Sequence, residues 1–243
     1  MEAGKVSKKI DEWIKDKVAL AEAKGVVFGL SGGLDSATIA LLCKNAFSDN
    51  TLALIMPCGS RKEDTEEAVS FAKKFDINYR LIELDESYNK LVGEFKKTQL
   101  KESLDHNRKR LALANIKPRL RMTTLYYFAN LFDYLVVGTS NKSEWMIGYF
   151  TKYGDGGADI VPLGNLLKTE VRELAVYLGV SQEIIDKPPS AGLWEEQTDE
   201  EEIGITYNEL DACLSGQKSI EKVDLMIKRS EHKRALPDMP DFK

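Results

Sequence analysis

The sequence predicts an α/β protein with a mainly parallel sheet and helices on both faces. Three observations predict it. Apolar runs of strand length recur along the 243 residues: Val26-Val27-Phe28, Thr51 to Met56, Tyr79 to Leu84 and Leu135-Val136-Val137. Helix-like stretches separate the first three, and strand-helix-strand order favours parallel pairing. The first strand also runs directly into a glycine-rich turn followed by the apolar start of a buried helix, Ala37 to Leu42.

In chain order, Val6, Ile10, Trp13, Ile14 and Ala21 recur at helical spacing among charged residues. They predict an amphipathic surface helix over about 4–24, ended by Gly25. The second strand stops at Pro57, and Lys62 to Phe75 reads as helix. Residues 85–115 are polar and helix-prone. Leu100, Leu104, Leu111 and Leu113 hint at packing on another surface, such as a second subunit. Tyr126, Tyr127 and Leu131 belong to a helix that leads into the strand at Leu135. A further helix begins at Lys168, carries Val171, Leu174, Ala175 and Leu178 inward, and closes at Gly179. The tail from Ile220 has helical periodicity and ends in Glu231-His232-Lys233-Arg234.

In parallel sheets, ligands sit beyond the carboxyl ends of the strands. The first such end is Gly29-Leu30-Ser31-Gly32-Gly33-Leu34-Asp35-Ser36. Adjacent glycines let backbone approach a ligand, and the helix start offers free N–H groups and a positive dipole end. That combination is an anion cradle. The lysine of a P-loop is absent; Asp35 stands in the loop instead. A carboxylate beside a phosphate site makes sense with a cation between them, which points to Mg²⁺. The fourth strand ends in a similar design, Gly138-Thr139-Ser140-Asn141-Lys142-Ser143-Glu144. Thr139 and Glu144 are placed to face the same crevice, and Asp35 with Glu144 makes a reasonable Mg²⁺ pair.

Three further stretches carry polar chemistry. Lys117-Pro118-Arg119-Leu120-Arg121 holds three cations in five residues; on a strand the two arginines point alike, on a helix about 200° apart. Lys152-Tyr153-Gly154-Asp155-Gly156-Gly157-Ala158-Asp159 is too rich in glycine for a regular element and reads as a loop that closes on a ligand. Its carboxylates suit ribose hydroxyls and Lys152 an anion. Lys168, at a helix start, opposes the dipole and calls for a negative partner such as phosphate.

Composition excludes several classes. With 43% apolar and 30% charged residues and a net charge of −5, nothing global favours nucleic acid. No apolar run approaches the ~20 residues of a membrane span. The N-terminus lacks a signal-peptide core. Three cysteines without Cys-x-x-Cys spacing suit a reducing cytoplasm and speak against zinc or disulfides.

The Ser-Gly-Gly-x-Asp-Ser loop resembles the pyrophosphate-binding loop of the ATP pyrophosphatase superfamily. Taken with Lys152 to Asp159, and with Pro189-Ser190-Ala191-Gly192-Leu193-Trp194 followed by Gln197-Thr198-Asp199-Glu200, the motif order resembles ammonia-dependent NAD⁺ synthetase over nearly the whole chain. The resemblance implies a homodimer with a doubly wound, adenine nucleotide alpha hydrolase-like fold. It also implies one domain over residues 1–243 without a glutaminase domain. The activity it implies is conversion of deamido-NAD⁺ to NAD⁺ with ATP, Mg²⁺ and ammonia. Carried over by motif, Gly29 to Ser36 would hold ATP phosphates, and Thr139, Lys168 and Ser190 would contact ATP. Asp35 and Glu144 would bind Mg²⁺, and Asp35 and Lys168 would act in catalysis. Arg119, Lys152, Asp159, His232 and Lys233 would contact deamido-NAD⁺. The sequence departs from the family in carrying Pro118 where others have Ala, and Ser190 where some have Thr.

Overall fold

A computed structural model describes residues 1–98, 105–190, 192, 194 and 198–242. Leu100, Leu104, Ala191, Leu193 and Gln197 of the motifs above lie outside the described residues. In order, the elements are α1 (Ala3–Leu20), β1 (Gly25–Gly29), α2 (Leu34–Phe47), β2 (Thr51–Ile55), α3 (Lys62–Lys74), β3 (Tyr79–Leu81), α4 (Asp85–Lys97), α5 (His106–Ala114) and α6 (Ile116–Phe132). Then follow β4 (Tyr134–Val136), α7 (Lys142–Ile147), α8 (Lys168–Leu178), α9 (Gln182–Asp186), α10 (Asp199–Ile203), α11 (Tyr207–Leu214), α12 (Glu221–Arg229) and α13 (Glu231–Arg234).

The four strands form one parallel sheet in the order β3-β2-β1-β4. Alternation of side chains sends Val26, Phe28, Ala53 and Ile55 to one face, where α1, α2, α3 and α8 cover them. Val27, Leu52, Leu54 and Val136 go to the other, under α4 and α6. The central strands are buried on both faces, which is why they read as continuous apolar runs. The edge strand β3 is shorter than the apolar run predicts. Its ladder continues through Ile82 N–H to Ile55 O and Leu84 N–H to Pro57 O, both 2.9 Å. A third apolar cluster, around Ile147, Ile203, Tyr207, Leu210 and Val223, gathers α7, α10, α11 and α12 beside the sheet.

The arginine-rich stretch is helix. Pro118 occupies the first turn of α6, where a missing N–H costs nothing. The two arginines therefore diverge: Arg119 is exposed, while Arg121 reaches inward to Met56 O at 3.0 Å and Ser60 Oγ at 3.3 Å.

On α1, one oxygen of Asp11 is buried without a hydrogen-bond partner. Burial, opposed by Lys15 and Asn45, pushes its carboxyl up from 3.8 to about 6. The folded chain thus binds an extra proton between these two values, and stability falls as pH rises through them. Asp11→Asn is expected to raise the melting temperature at pH 8, leave it unchanged at pH 4 and flatten the slope between; a melting series across pH checks it.

Candidate active site

The loop after β1 turns through Gly32, at φ +80°, where a Cβ would also stand 3.0 Å from the Asp64 carbonyl. Conformation and space both demand glycine there. The Ser31 and Ser36 hydroxyls lie 3.0 Å apart, and Ser36 Oγ donates to Gly33 O at 3.0 Å. Gly33 leads into α2 with no side-chain cap. The first-turn N–H groups are thus left for a ligand, at the positive end of the helix.

The loop after β4 ends in α7, whose start is a reciprocal cap. Asn141 Oδ1 accepts from Glu144 N–H at 3.1 Å, and Glu144 Oε2 accepts from Asn141 N–H at 3.4 Å. Asn141 is fully buried and donates its amide to Asp35 Oδ1 at 3.1 Å. One residue thus braces an acid from each of two strand ends.

Lys168 completes the cluster. Its buried ammonium contacts Asp35 Oδ2 and lies 3.1 Å from Glu144 Oε1. The sequence led us to expect a phosphate beside this lysine. Its partners are instead the two acids, 133 and 24 residues away. The dipole conflict at the start of α8 is settled separately: Lys168 N–H donates to Ser143 Oγ at 3.0 Å and Thr169 N–H to Asp211 Oδ2 at 2.9 Å. Ser143 Oγ in turn donates to Asp211, so α7, α8 and α11 share one polar knot. Burial pushes the Glu144 carboxyl well above the carboxylate range, with the Lys168 charge opposing and Asp35 adding to it. Burial works against charge on Lys168, but Asp35 and Glu144 outweigh it and hold the ammonium above the ordinary lysine range.

Carboxylate oxygens of Asp35 and Glu144 converge on a single point, now taken by an ammonium. A divalent ion fits that chemistry: two partly buried acids from different elements, with Asp199 as a third nearby, exceed the one cation between them. Among the described residues no three His, Cys, Asp or Glu side chains converge on one position, so an ion here would draw its other ligands from phosphate and water.

The remaining sequence candidates fall in three places. Thr139 stands half-buried past the end of β4, and Ser190 is exposed, its Oγ accepting from Gly192 N–H at 3.1 Å. Arg119, Lys152, His232 and Lys233 come together. Arg119 Nη2 donates to Lys152 O at 3.3 Å and Lys152 Nζ to His232 O. Lys233 Nζ donates to Gly148 O and Phe150 O at 2.7 and 2.8 Å. Asp159 has other partners. It accepts Val136 N–H at 2.7 Å and Tyr126 Oη–H at 3.0 Å, bracing α6 to β4. Asp155 accepts Thr151 N–H at 2.9 Å, tying the glycine loop to itself.

In the sequence, Asn141, Ser143 and Asp199 figure only as members of longer motifs, with no role of their own, and Tyr207 and Asp211 not at all. Asn141 carried a signal, since Asn-x-x-Glu is a helix-start pattern. The others act through contacts between distant elements.

A parallel sheet with a glycine loop feeding a helix start, and acids converging beside it, defines an α/β nucleotide-binding domain of the adenine nucleotide alpha hydrolase type. Within that class the chain belongs to the NAD synthase family, whose model matches residues 6–237. It is 52% identical to an NH₃-dependent NAD⁺ synthetase of Finegoldia magna over 245 aligned positions, covering 100% of this chain and 98% of that one. It is 50% identical to one of Carboxydothermus hydrogenoformans, covering 96% of each. Among solved structures, the NMN synthetase from Francisella tularensis superposes with a TM-score of 0.91 at 38% identity over 100% of both chains. The NH₃-dependent NAD synthetase from Campylobacter jejuni superposes with 0.77 at 30% identity, over 99% of this chain and 100% of that one.

Asn141→Asp keeps the helix-cap acceptor and replaces the amide donor by a second charge facing Asp35. Thermal melting should shift by no more than a few degrees, while ATP-dependent AMP release falls about 10-fold, as for other residues that orient a site's acids.

Proposed function

We propose that the chain amidates the nicotinate carboxyl of deamido-NAD⁺ with ammonia, converting ATP to AMP and pyrophosphate and forming NAD⁺, the last step of NAD biosynthesis. The observation that carries this reading is the meeting of Asp35, Glu144 and Lys168 beside the uncapped start of α2.

A carboxylate is a poor acyl donor because its leaving group would be oxide. Attack of the nicotinate oxygen on the α-phosphorus of ATP breaks the α–β bridge, and pyrophosphate leaves. Ammonia then adds to the acyl carbon, AMP leaves with the former carboxylate oxygen, and loss of a proton gives the amide. The Gly29–Ser36 backbone and the α2 dipole would hold the departing phosphates. Asp35 and Glu144 would hold Mg²⁺, which when bound supplies charge neutralisation there. With its acids so engaged, the Lys168 ammonium would turn to phosphate oxygen. Thr139 and Ser190 would line the ATP site. Arg119, Lys152, Asp159, His232 and Lys233 would meet deamido-NAD⁺. The residues work as one catalytic domain.

Other features support the finer reading. Tyr127, Leu131 and Phe132 on α6, with Leu111 on α5 and Phe95 on α4, are exposed apolar side chains. They suit the face of a homodimer. Cys43, Cys58 and Cys213 are unpaired, as a cytoplasmic protein's would be. No helix among the described residues is long and apolar enough to cross a membrane.

The TM-score of 0.91 to an NMN synthetase favours a second reading, in which nicotinate mononucleotide is the acyl substrate. Incubation with ATP, Mg²⁺, ammonium and either carboxylate, with products read by mass, tests both. Under the first reading deamido-NAD⁺ is used with the higher kcat/KM; a reversed preference selects the second.

Asp35→Asn should lower AMP and pyrophosphate release on the order of 100-fold or more while the circular dichroism spectrum is kept. Near-normal turnover would remove Asp35 from the chemistry. Light scattering should give twice the chain mass for the native protein and a shift toward one for Leu131→Glu.

A further inference from the structure

Tyr207 has no part in the reaction as described, yet it is the largest fully buried side chain among the described residues, at 1% exposure. Its position is fixed at several points. It opens α11 behind a Thr206–Glu209 capping box, and its N–H donates to Glu200 Oε1 at 2.8 Å. Its ring packs with Ile147, Ile203, Leu210 and Val223. Its hydroxyl points to the acid cluster, 3.1 Å from Glu144 Oε1 and 3.0 Å from Asp199 Oδ2. The Lys168 ammonium lies 5.0 Å from the ring centroid, within cation–π range.

Glu144 is therefore held at both oxygens. Oε2 is tied to Asn141 N–H, while Oε1 meets Lys168 and Tyr207. If Lys168 turns to phosphate on nucleotide binding, Tyr207 is the Oε1 contact that stays. Asp199 anchors the hydroxyl from the other side. Its Oδ1 lies 3.1 Å from Tyr149 Oη, which is itself 2.8 Å from Glu202 Oε2, and its N–H donates to Pro189 O at 3.0 Å, next to Ser190.

We propose that Tyr207 is a positioning residue for the cation site: its hydroxyl, lying between Asp199 and Glu144 and donating its single proton to one carboxylate at a time, keeps Glu144 turned toward the divalent ion. This rests on the reading of Asp35 and Glu144 as the metal acids. Hydrogen bonds that orient a ligand's carboxylate typically change metal affinity 10- to 100-fold when removed.

Calorimetry with the non-hydrolysable analogue α,β-methylene-ATP tests it, run once with Mn²⁺ and once with EDTA. The readout is the gain in nucleotide affinity that the metal brings. Tyr207→Phe removes one oxygen and keeps the ring; it should cut that gain about 10-fold and leave the metal-free affinity within 2-fold. A stoichiometry near that of the native protein certifies that folded molecules are titrated. An unchanged gain overturns the proposal, and so does an equal loss with and without metal, which is what a structural role alone would give. Asp199→Ala and Asp199→Asn lose the same charge, but only alanine loses the hydrogen bond to Tyr207. The metal gain must be several-fold smaller in the alanine variant, and equal gains in the two overturn the proposal even if Tyr207→Phe does not fold. Glu144→Gln separates the two layers. If it abolishes the gain while Tyr207→Phe leaves it, the positioning role alone is wrong. If Glu144→Gln leaves it, the metal reading falls.

Discussion

One ammonium, that of Lys168, is held between two carboxylates brought by two different crossovers of the sheet. Burying such a group is costly, and a buried ion pair is weak evidence for stability. Its value here is organisational. With the ammonium in place, acids that would repel one another can wait side by side in a water-poor cleft. The surrounding contacts maintain that arrangement: Asn141 braces both acids, and Asp211 with Ser143 neutralises the helix start that Lys168 occupies. Stability is spent on a constellation whose acids outnumber its one ammonium, which suits a further cation.

The fold was legible because its sheet is simple. Central strands buried on both faces read as unbroken apolar runs, and Gly29 to Ser36 announced its turn by composition alone. The short edge strand was overestimated, since an apolar run does not reveal where pairing stops. Lys168 drew notice through its unfavourable position in a helix, a local property; its partners are distant in sequence and could not be read. Asp159 shows the same limit of local reading: the loop carboxylate also accepts from Val136 N–H and Tyr126 Oη–H, partners that lie 23 and 33 residues away. Aromatic residues such as Tyr207 read as core, and Tyr207 is core; only coordinates show that its one polar atom faces two acids.

The chemistry at the α-phosphorus needs only the sheet's carboxyl edge, where the cradle and the acids lie. What lies beyond the nicotinate ring must be read elsewhere. The side chains of Arg119, Lys152 and Lys233 donate to backbone carbonyls of neighbouring segments, that of His232 among them.

The short C-terminal helix α13 is sewn onto the back of α7. Arg234 donates to Trp145 O, Met146 O and Ile227 O, Lys233 to Gly148 O, and Gly148, at φ +70°, has no room for a Cβ against Ser230. The same α7 bears Glu144 at its other end. During synthesis, then, the cradle emerges from the ribosome two hundred residues before the segment that steadies the opposing acid. A nascent chain therefore holds the cradle well before it holds the segment that steadies the opposing acid.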